Sequence, residues 1–432
     1  ENVCQRNHLP PLRRLQSGSG PATVPPHETA TGFAVSGRLA RDGTLHWGQT
    51  RDMGREPITV AHFVTPYLFQ TGSWIHTQLT HARATRPVVV THGLENPDRF
   101  PLEPIYHVNA GLGPWQRLGH RLRYYLGQYS PALCEAAFER EKPRLIHAHM
   151  GWEGVRTLPI AHRYHLPLVT TFYGRDAGYM PHRYPWWRRW YRHLFQEGAL
   201  FFVEGPHLGR TLEALGCPPS KIRVVHLGID LERIPFCARP LRPGAPIEIL
   251  VSSSLRPKKG VRAAVRAFGS LARRYPHARL RILGDGPQRR PIEESIRRRH
   301  LGDRVVMEGY VSYDRHLEAL QEAHLFLAPS RTASDGDSEG GAPVALIEAQ
   351  AAGVPIISTR HADIPEVVED TVSGLLSPEF DDDALARNLE WMLEHPSTWQ
   401  RMGRAGRARM EREFDARRQA ELAESLYANV LR

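Results

Sequence analysis

The sequence predicts an α/β protein made of two Rossmann-like, doubly wound parallel-sheet domains that face a central cleft. Three observations lead to this prediction. The chain has 432 residues, more than one ordinary domain holds. Apolar runs of five or six residues alternate with helical patterns in both halves, as parallel sheets covered by helices require. Residues 235–246, between the halves, contain four prolines and few apolar residues, which is typical of a linker.

This pattern divides the chain into five segments. They are an amino-terminal extension (1–57), a first Rossmann-like domain (58–235), a linker (236–246), a second Rossmann-like domain (247–415) and a last helix (416–432). In the extension, Gly, Pro, Ser and Thr dominate as far as Gly32, and Asp42-Gly43 is typical of a hairpin turn. We interpret the extension as a surface appendage and assign it no chemistry.

The amino-acid composition limits the kinds of molecule that the protein can bind and the compartment that suits it. Lys and Arg number 56 against 46 Asp and Glu, and the net charge of +10 favours anionic partners such as nucleotides, nucleic acid or an anionic membrane surface. The cysteines show neither metal-type spacing nor a disulfide-dense pattern, which fits a reduced cytoplasmic compartment. No apolar run approaches the roughly 18 residues that span a bilayer. The first residues lack the apolar segment of a secretory signal.

Six apolar runs in the first half predict buried strands. They are bounded by turn residues and cover 58–63, 87–91, 145–150, 168–172, 199–203 and 222–227. Ligands of open α/β sheets bind at the carboxyl ends of the strands. His149 stands near the end of the third run, and Tyr173 and Asp176 follow the fourth. We therefore expect these three residues near a substrate.

The two histidines of the third run also raise a metal alternative. His147 and His149 are two residues apart, so on a strand they point to one face. No third ligand is evident nearby in the sequence. We therefore favour a ligand-facing strand end and predict no metal site.

Two segments combine arginines with aromatic residues. Residues 179–195 interleave four arginines with three tryptophans and further aromatics, and residues 113–129 repeat the pattern more weakly. A basic aromatic helix suits a bilayer interface, with its indoles at the level of the headgroups. The alternatives are a core face backed by a solvated basic face, or a surface for single-stranded nucleic acid. We favour a peripheral contact of both segments with an anionic membrane.

The second half repeats the strand pattern. Apolar runs at 247–252, 278–283, 305–311, 324–329 and 354–359 predict strands, and 261–275 predicts an amphipathic helix. The loop SSSLRPKKG after the first run carries Arg256 and Lys259. Gly284 begins a tight turn after the second run, and Tyr310 and Val311 close the third.

Residues 335–359 form the most informative stretch. A polar, glycine-rich loop leads into a helix from residue 344 to 352, followed by a short strand. The backbone at Gly340, Gly341 and Pro343 can surround an anion at the helix start. Two carboxylates, Glu339 and Glu348, stand at the start and in the middle of the unit.

This stretch closely resembles the carboxylate motif of the family 4 retaining glycosyltransferases (glycosyl transferases group 1, GT-B fold), of the exopolysaccharide or lipopolysaccharide type. The resemblance covers about residues 58–430. It implies that Glu339 binds hydroxyls of the donor sugar, that Glu348 binds the ribose, and that the backbone of the residues between them meets the diphosphate or the sugar. Those residues are Gly340, Gly341, Ala342, Pro343 and Val344.

The resemblance assigns further roles. Lys259 and Arg256 grip the diphosphate, as a leaving group of that charge requires. Tyr310 and Val311 lie beside the nucleobase. The remaining donor-side residues are Gly72, Tyr173 and Gly284, and the acceptor-side residues are His149 and Asp176. The last helix crosses back onto the first domain, as it does in GT-B chains.

The sequence departs from the family pattern at three points. The family places seven residues between the two acids, whereas Glu339 and Glu348 enclose eight. We expect the glycine-rich loop to absorb the extra residue. Tyr173 stands where the family has a histidine that contacts the sugar. Ser254 stands at the usual arginine, with Arg256 two residues on.

The implied activity is the metal-independent transfer of a sugar, with retention, from a UDP- or GDP-linked donor. The implied acceptor is a saccharide or lipid-linked saccharide at the inner face of the cell membrane, and no cofactor besides the nucleotide sugar is implied. Two alternatives share the architecture: a catalytically idle sugar-nucleotide-binding subunit and a sugar-nucleotide epimerase. A nucleic-acid-binding protein would explain the charge but not the acidic helix motif.

Overall fold

The computed structural model describes residues 57–67, 72–97, 100–107, 113–125, 129, 131–238 and 244–432. The predicted extension and its hairpin therefore lie outside the described residues, apart from Pro57. The same holds for Thr71 beside Gly72 and for residues 239–243 of the predicted linker.

The first half of the chain forms a seven-stranded parallel sheet in the order β3-β2-β1-β4-β5-β6-β7. Its strands are β1 (Ile58–Phe63), β2 (Thr85–Thr91), β3 (Ile105–His107), β4 (Leu145–His149), β5 (Leu168–Phe172), β6 (Leu200–Val203) and β7 (Ile222–Val224). The central strands β4, β5 and β6 are buried along their whole length, which explains their unbroken apolar runs.

The second half forms a six-stranded parallel sheet in the order β10-β9-β8-β11-β12-β13. Its strands are β8 (Ile247–Ser252), β9 (Ala278–Leu283), β10 (Val305–Gly309), β11 (Leu325–Ala328), β12 (Ile356–Thr359) and β13 (Gly374–Ser377). Separate buried apolar clusters line the faces of the two sheets. The predicted class, an α/β protein with two Rossmann-like parallel-sheet domains, is confirmed.

Helices connect the strands. Those of the first half are α1 (Ser73–Thr80), α2 (Pro114–Tyr125), α3 (Pro131–Glu141), α4 (Gly151–Tyr164), α5 (Tyr179–Arg183), α6 (Trp187–Glu197) and α7 (Pro206–Ala214). Those of the second half are α8 (Val261–Leu271), α9 (Arg289–Arg298), α10 (Tyr313–Glu322), α11 (Val344–Ala351), α12 (Ile364–Val367), α13 (Asp382–Glu394), α14 (Trp399–Glu413) and α15 (Ala416–Val430).

The helix α15 packs against the first sheet and its helix α1. The carboxylate of Glu424 accepts hydrogen bonds from the backbone N–H groups of Arg83, Ala84 and Thr85 at 2.7–2.8 Å. Farther along the helix, the hydroxyl of Tyr427 lies 2.7 Å from Nδ1 of His147. The last helix is therefore joined to β2 and β4 of the first sheet.

The structure differs from the prediction at one helix and at two short strands. The helical pattern over 179–195 is broken into α5 and α6, because Pro185 disfavours helical backbone at Tyr184, which has φ −133° and ψ 84°. The strand β3 escaped prediction because it has only three residues, none of them buried, so it carries no apolar run. The strand β13 also escaped prediction, because only two of its four residues are apolar with large side chains.

Candidate functional site

The carboxyl ends of both sheets meet at one cleft, where two glycines bring the backbones together. Gly174, in the turn after β5, has φ +98°, and Gly340, in the loop before α11, has φ +78°. A Cβ atom at Gly340 would lie 2.1 Å from Cα of Gly174. Only residues without side chains allow this approach, because both φ values belong to the left-handed region and there is no room for a methyl group.

The loop between Asp335 and Pro343 ends at the start of α11. Pro343 is the residue before the helix, and no side chain caps the helix there. The first backbone N–H groups of a helix lack intrahelical partners and carry a partial positive charge. The start of α11 is therefore suited to an anion, next to the predicted backbone of Gly340, Gly341, Ala342 and Val344.

The carboxylate of Glu339 has two partners at this cleft, one ammonium group and one hydroxyl. Its Oε2 accepts a hydrogen bond from Nζ of Lys259 at 2.8 Å, and its Oε1 accepts one from the hydroxyl of Ser330 at 2.7 Å. Its side chain is 6% exposed. Burial opposes ionisation, but Lys259 and then Lys258 outweigh it and hold the pKa of Glu339 below its ordinary value. Glu339 is therefore a fixed carboxylate, despite the extra residue in the loop.

The short 3₁₀ turn Pro257–Lys259 supplies the cations of the cleft. Lys259 pairs with Glu339, while Lys258 donates to Asp337 at 3.1 Å and to the carbonyl of Ser338 at 2.8 Å. Arg256 precedes the turn and is exposed. The sequence pattern singled out Lys259 and Arg256 but missed Lys258, because adjacent lysines look alike until a structure shows where each points.

Glu348 lies in α11 and is 5% exposed. Its Oε1 accepts a hydrogen bond from the hydroxyl of Tyr313 at 2.8 Å, and its Oε2 lies 2.9 Å from Nε2 of His316. The hydroxyl of Ser252, at the end of β8, lies 2.9 Å from the other ring nitrogen of His316. Sequence analysis missed these three partners, since they precede Glu348 by 32 to 96 residues and follow no local spacing rule.

The predicted nucleobase segment follows β10. Tyr310 is 50% exposed and Val311 is partly buried beside the apolar cluster of the second sheet. Gly284, after β9, has φ +124°, and a Cβ atom there would lie 1.9 Å from the carbonyl oxygen of Ser253. Its N–H donates to the carbonyl of Gly309 at 2.7 Å. Gly284 thus draws the ends of β8 and β10 together beside the cleft.

Tyr173 follows β5 and turns back into the first domain. Its hydroxyl lies 2.6 Å from Nδ1 of His149, and the residue is 8% exposed. The sequence-based expectation gave the hydroxyl of Tyr173 to the donor sugar. In this structure the hydroxyl contacts His149, so the two predicted residues form one pair, and the sugar contact of Tyr173 stays a prediction.

Asp176 holds the turn that carries Gly174. Its two carboxylate oxygens accept hydrogen bonds from the backbone N–H groups of Gly151 at 2.7 Å and Tyr173 at 3.0 Å. Burial raises the pKa of Asp176 to about 6, although these N–H groups favour the ionised form. The residue orients the strand end rather than facing the cleft, since it is fully buried.

The structure adds a third histidine to the pair that suggested a metal. Within the described residues, His62, His147 and His149 form the group whose ligand atoms lie within 4.8 Å of one another. Burial lowers the pKa of all three rings, so they are neutral. Neutral imidazoles can bind zinc.

Hydrogen bonds within the protein also explain why these three histidine rings lie so close together. Both ring nitrogens of His147 have partners, the hydroxyls of Tyr427 and Thr171. His149 lies between His62, at 3.1 Å, and Tyr173. A metal would have to break these bonds. The cluster therefore fits a polar network better than a metal site.

Two acids after the strand ends join the sheets across the cleft. Asp363, just before α12, accepts hydrogen bonds from the N–H groups of His207 at 2.7 Å and Leu208 at 3.4 Å, and so caps α7 of the other sheet. Glu204, after β6, occupies the space that a Cβ atom on Gly341 would need. Burial first, and then the neighbouring carboxylates of Asp176, Asp363 and Glu339, raise the pKa of Glu204.

His361 is a further residue that the sequence analysis left without a role. Its Nε2 accepts a hydrogen bond from the N–H of Glu339 at 3.1 Å, and its Nδ1 donates to Glu379 at 2.7 Å. The signal was available, since His361 follows β12 at the carboxyl end of the sheet. Gly72 stands at the start of α1 and is buried.

The basic aromatic segments behave differently from each other. In α6, Trp187, Tyr191, Leu194 and Phe195 are buried, whereas its arginines are exposed, and Trp186, just before the helix, is 56% exposed. The burial of these four side chains favours the alternative of a core face for α6, and the membrane contact of residues 179–195 stays a prediction. In α2, by contrast, Trp115, Leu118 and Leu122 are 84%, 57% and 60% exposed.

Comparisons with known families match both halves of the chain. The profile of Glycosyl transferases group 1 matches residues 237–409, and that of Glycosyltransferase Family 4 matches residues 80–233. Among curated proteins, the putative colanic acid biosynthesis glycosyltransferase WcaL of Salmonella typhimurium is 36% identical over 60% of this chain and 63% of its own length. The amylovoran biosynthesis glycosyltransferase AmsK of Erwinia amylovora is 35% identical over 60% and 64%.

The chain thus spans less than two thirds of the length of these relatives. Solved structures share the fold at low identity. The sucrose-phosphate synthase of Thermosynechococcus elongatus superposes with a TM-score of 0.69 at 19% identity, over 86% of this chain and 99% of that one. Anabaena Alr3699/HepE, in complex with UDP and glucose, gives 0.68 at 16% identity over 86% and 99%.

Proposed function

The chain belongs to the family 4 glycosyltransferases of the GT-B fold, and on that premise we propose that it transfers a sugar from a nucleoside-diphosphate sugar to a growing exopolysaccharide. The observation that carries the proposal is the position of Glu339 and Glu348 around the uncapped start of α11, with Lys259 at the facing strand end. This arrangement offers one carboxylate to a sugar, another to a ribose, and N–H groups with a cation to the diphosphate between them.

The leaving diphosphate binds in the cationic part of the cleft. Lys259 and Arg256 neutralise it, while Lys258, two residues from Arg256, is paired with Asp337. The start of α11 contributes backbone N–H groups through Gly341, Ala342 and Val344. Charge that develops on the leaving oxygen is stabilised by groups already in place, which is the largest contribution expected for this chemistry.

The transfer is metal-independent in this proposal. Lys259, Arg256 and the N–H groups at the start of α11 can together do what a divalent ion would do. The nearest acid pair of metal-site type is Asp335 and Asp337, and Asp337 is already paired with Lys258. Catalysis with retention proceeds on one face of the sugar, and we assign no protein nucleophile to it.

The donor sugar lies between Glu339 and the turn after β5. Glu339 accepts hydrogen bonds from its hydroxyls, and the backbones of Gly174 and Gly340 set the width of the cleft at that point. Because the hydroxyl of Tyr173 is bound by His149, the sugar is recognised mainly from the second domain. The segment with Tyr310 and Val311, next to Gly284, contacts the nucleobase of the donor.

The acceptor is a saccharide or a lipid-linked saccharide, and α2 brings the protein to the membrane surface that carries it. Trp115, Leu118 and Leu122 recur at helical spacing and leave an apolar stripe exposed, beside the exposed Arg117. A helix of this kind lies in the interface of an anionic bilayer. No described helix is long and apolar enough to span one.

A donor screen tests the function. Purified protein is incubated with UDP-, GDP- and ADP-linked sugars in EDTA, with and without a lipid-linked oligosaccharide fraction, and released nucleotide is measured. Release from one donor, lost in Glu348→Ala but kept in Glu411→Ala, is the expected result. Glu411 is a matched control, because it forms only an exposed pair with Arg407. The anomeric proton of the product, observed by NMR, then reports retention.

Two outcomes would contradict the proposal. Nucleotide-sugar binding without release, across varied acceptors, would indicate the idle binding subunit. Interconversion of two sugar nucleotides without an acceptor would indicate the epimerase.

A further inference from the structure

Glu348 is held on both of its oxygens before any ligand arrives. The hydroxyl of Tyr313 donates to Oε1 at 2.8 Å, and Nε2 of His316 lies 2.9 Å from Oε2. Tyr313 and His316 are one turn apart on α10, whereas Glu348 lies on α11. The carboxylate is thus held between two helices, and these two hydrogen bonds restrain its side-chain torsions.

The hydrogen bonds to Glu348 have a defined direction. A carboxylate accepts and cannot donate, so Nε2 of His316 carries the proton that faces Glu348. The hydroxyl of Ser252 lies 2.9 Å from the other ring nitrogen, Nδ1, and holds the ring from its far side. Burial and the adjacent Glu348 raise the pKa of Tyr313, so its hydroxyl stays protonated and remains a donor.

The free lone pairs of Glu348 match one class of ligand. A carboxylate offers about four acceptor sites, two on each oxygen. Tyr313 and His316 use one on each, which leaves one on each. Two parallel acceptor sites on neighbouring oxygens fit a pair of vicinal hydroxyls, such as the 2′- and 3′-hydroxyls of ribose.

We propose that Tyr313 and His316 are positioning residues that present Glu348 to a ribose diol, so that the site selects ribonucleoside-diphosphate sugars over 2′-deoxyribonucleoside-diphosphate sugars. This inference rests on the proposed function and narrows its donor class. A 2′-deoxy donor would leave a buried acceptor unsatisfied, and such sites reject analogues far more strongly than apolar pockets do. Thymidine-linked sugars, which lack the 2′-hydroxyl, are therefore excluded.

Calorimetric titration of the full chain tests this. Wild-type protein is titrated with UDP, GDP and ADP and with their 2′-deoxy counterparts. The preferred ribonucleotide is expected to bind at least about tenfold more tightly than its deoxy form. In Tyr313→Phe the carboxylate can turn and take up water, so the ribonucleotide weakens about fivefold while the deoxy form changes little. The preference then falls below about threefold.

Matched variants separate positioning from general damage. Tyr275→Phe removes another tyrosine–glutamate hydrogen bond of the second domain, that between Tyr275 and Glu394 at 3.0 Å, and should leave the preference unchanged. His316→Gln keeps an N–H donor and should retain more of the ribose preference than His316→Phe.

The possible failures are distinct. Equal binding of the ribonucleotide and its deoxy form by the wild type, or an unchanged preference in Tyr313→Phe, would overturn the inference and leave the proposed function standing. No binding of any nucleoside diphosphate would overturn both.

Discussion

The backbones of Gly174 and Gly340 touch across the cleft, where each sheet contributes one residue without a side chain. A Cβ atom on Gly174 would lie 2.6 Å from the carbonyl oxygen of Glu339 and from Cα of Gly340. The contact joins the turn after β5 to the loop that carries Glu339. The predicted sugar site is therefore bounded by two backbones rather than by adaptable side chains.

Gly174→Ala should block this approach and reduce transfer more than donor binding. Holding the two backbones apart by even 1 Å misplaces the reacting groups, and we expect about a hundredfold fall in kcat with a smaller change in nucleotide affinity. The control is Gly216→Ala. Gly216 has nearly the same φ, +97°, but a Cβ atom there meets only Arg192 Cγ at 3.8 Å. Equal losses of activity in the two variants would assign the effect to backbone strain alone.

Asp363→Ala should weaken both the fold and the closed cleft, because Asp363 caps α7 from the other sheet. We expect a loss of about 1 kcal/mol in the free energy of unfolding, typical of a lost cap, and a raised KM for the donor. Asp381→Ala is the control, since Asp381 caps α13 within the second domain. Denaturant unfolding should show similar losses for both, and only Asp363→Ala should change KM. An unchanged KM would refute a role of the cap in closure.

Asp176 should make stability depend on pH. Its pKa in the folded protein is about 6 against an ordinary 3.8, so the folded state holds the proton more tightly than the unfolded chain does. Its contribution is therefore fully present below about pH 4 and is lost as the pH rises through about 6, by about 3 kcal/mol in all.

The measurement is urea unfolding of wild type and Asp176→Asn at intervals from pH 4 to 7. Other buried acids remain in both chains, so the difference between the two profiles reports Asp176. The wild type should lose stability relative to the variant as pH rises. Parallel profiles would show that the carboxyl does not titrate in this range.

Replacing the apolar stripe of α2 should release the protein from anionic vesicles. We expect Trp115→Ser combined with Leu118→Ser to lower binding to phosphatidylglycerol-containing vesicles about tenfold or more, because each side chain removes apolar area from the interface. Leu422→Ser on α15 is the control, since that leucine is also exposed, at 38%. Co-sedimentation gives the comparison. Unchanged binding of the double variant would exclude α2 as the contact.

The parts of the site that could be predicted from the sequence are those whose residues lie close together along the chain. The loop–helix–strand unit with Glu339 and Glu348 could be predicted because its glycines, helix and acids follow one another along the chain. The partners of those acids could not, since Tyr313, His361 and Lys258 reach them only after the sheets form. The aromatic residues of α6 were ambiguous for a related reason, since burial on one face and membrane contact produce the same sequence pattern.

The hydrogen bonds of Glu424 mean that the first domain can complete its packing only after the last helix has been synthesised. Three N–H groups leading into β2 find their acceptor more than 330 residues later in the chain, on α15. Until α15 has been synthesised, these three N–H groups lack the acceptor that the folded chain gives them. The packing of the first domain is therefore completed only after residues 416–430 have been made.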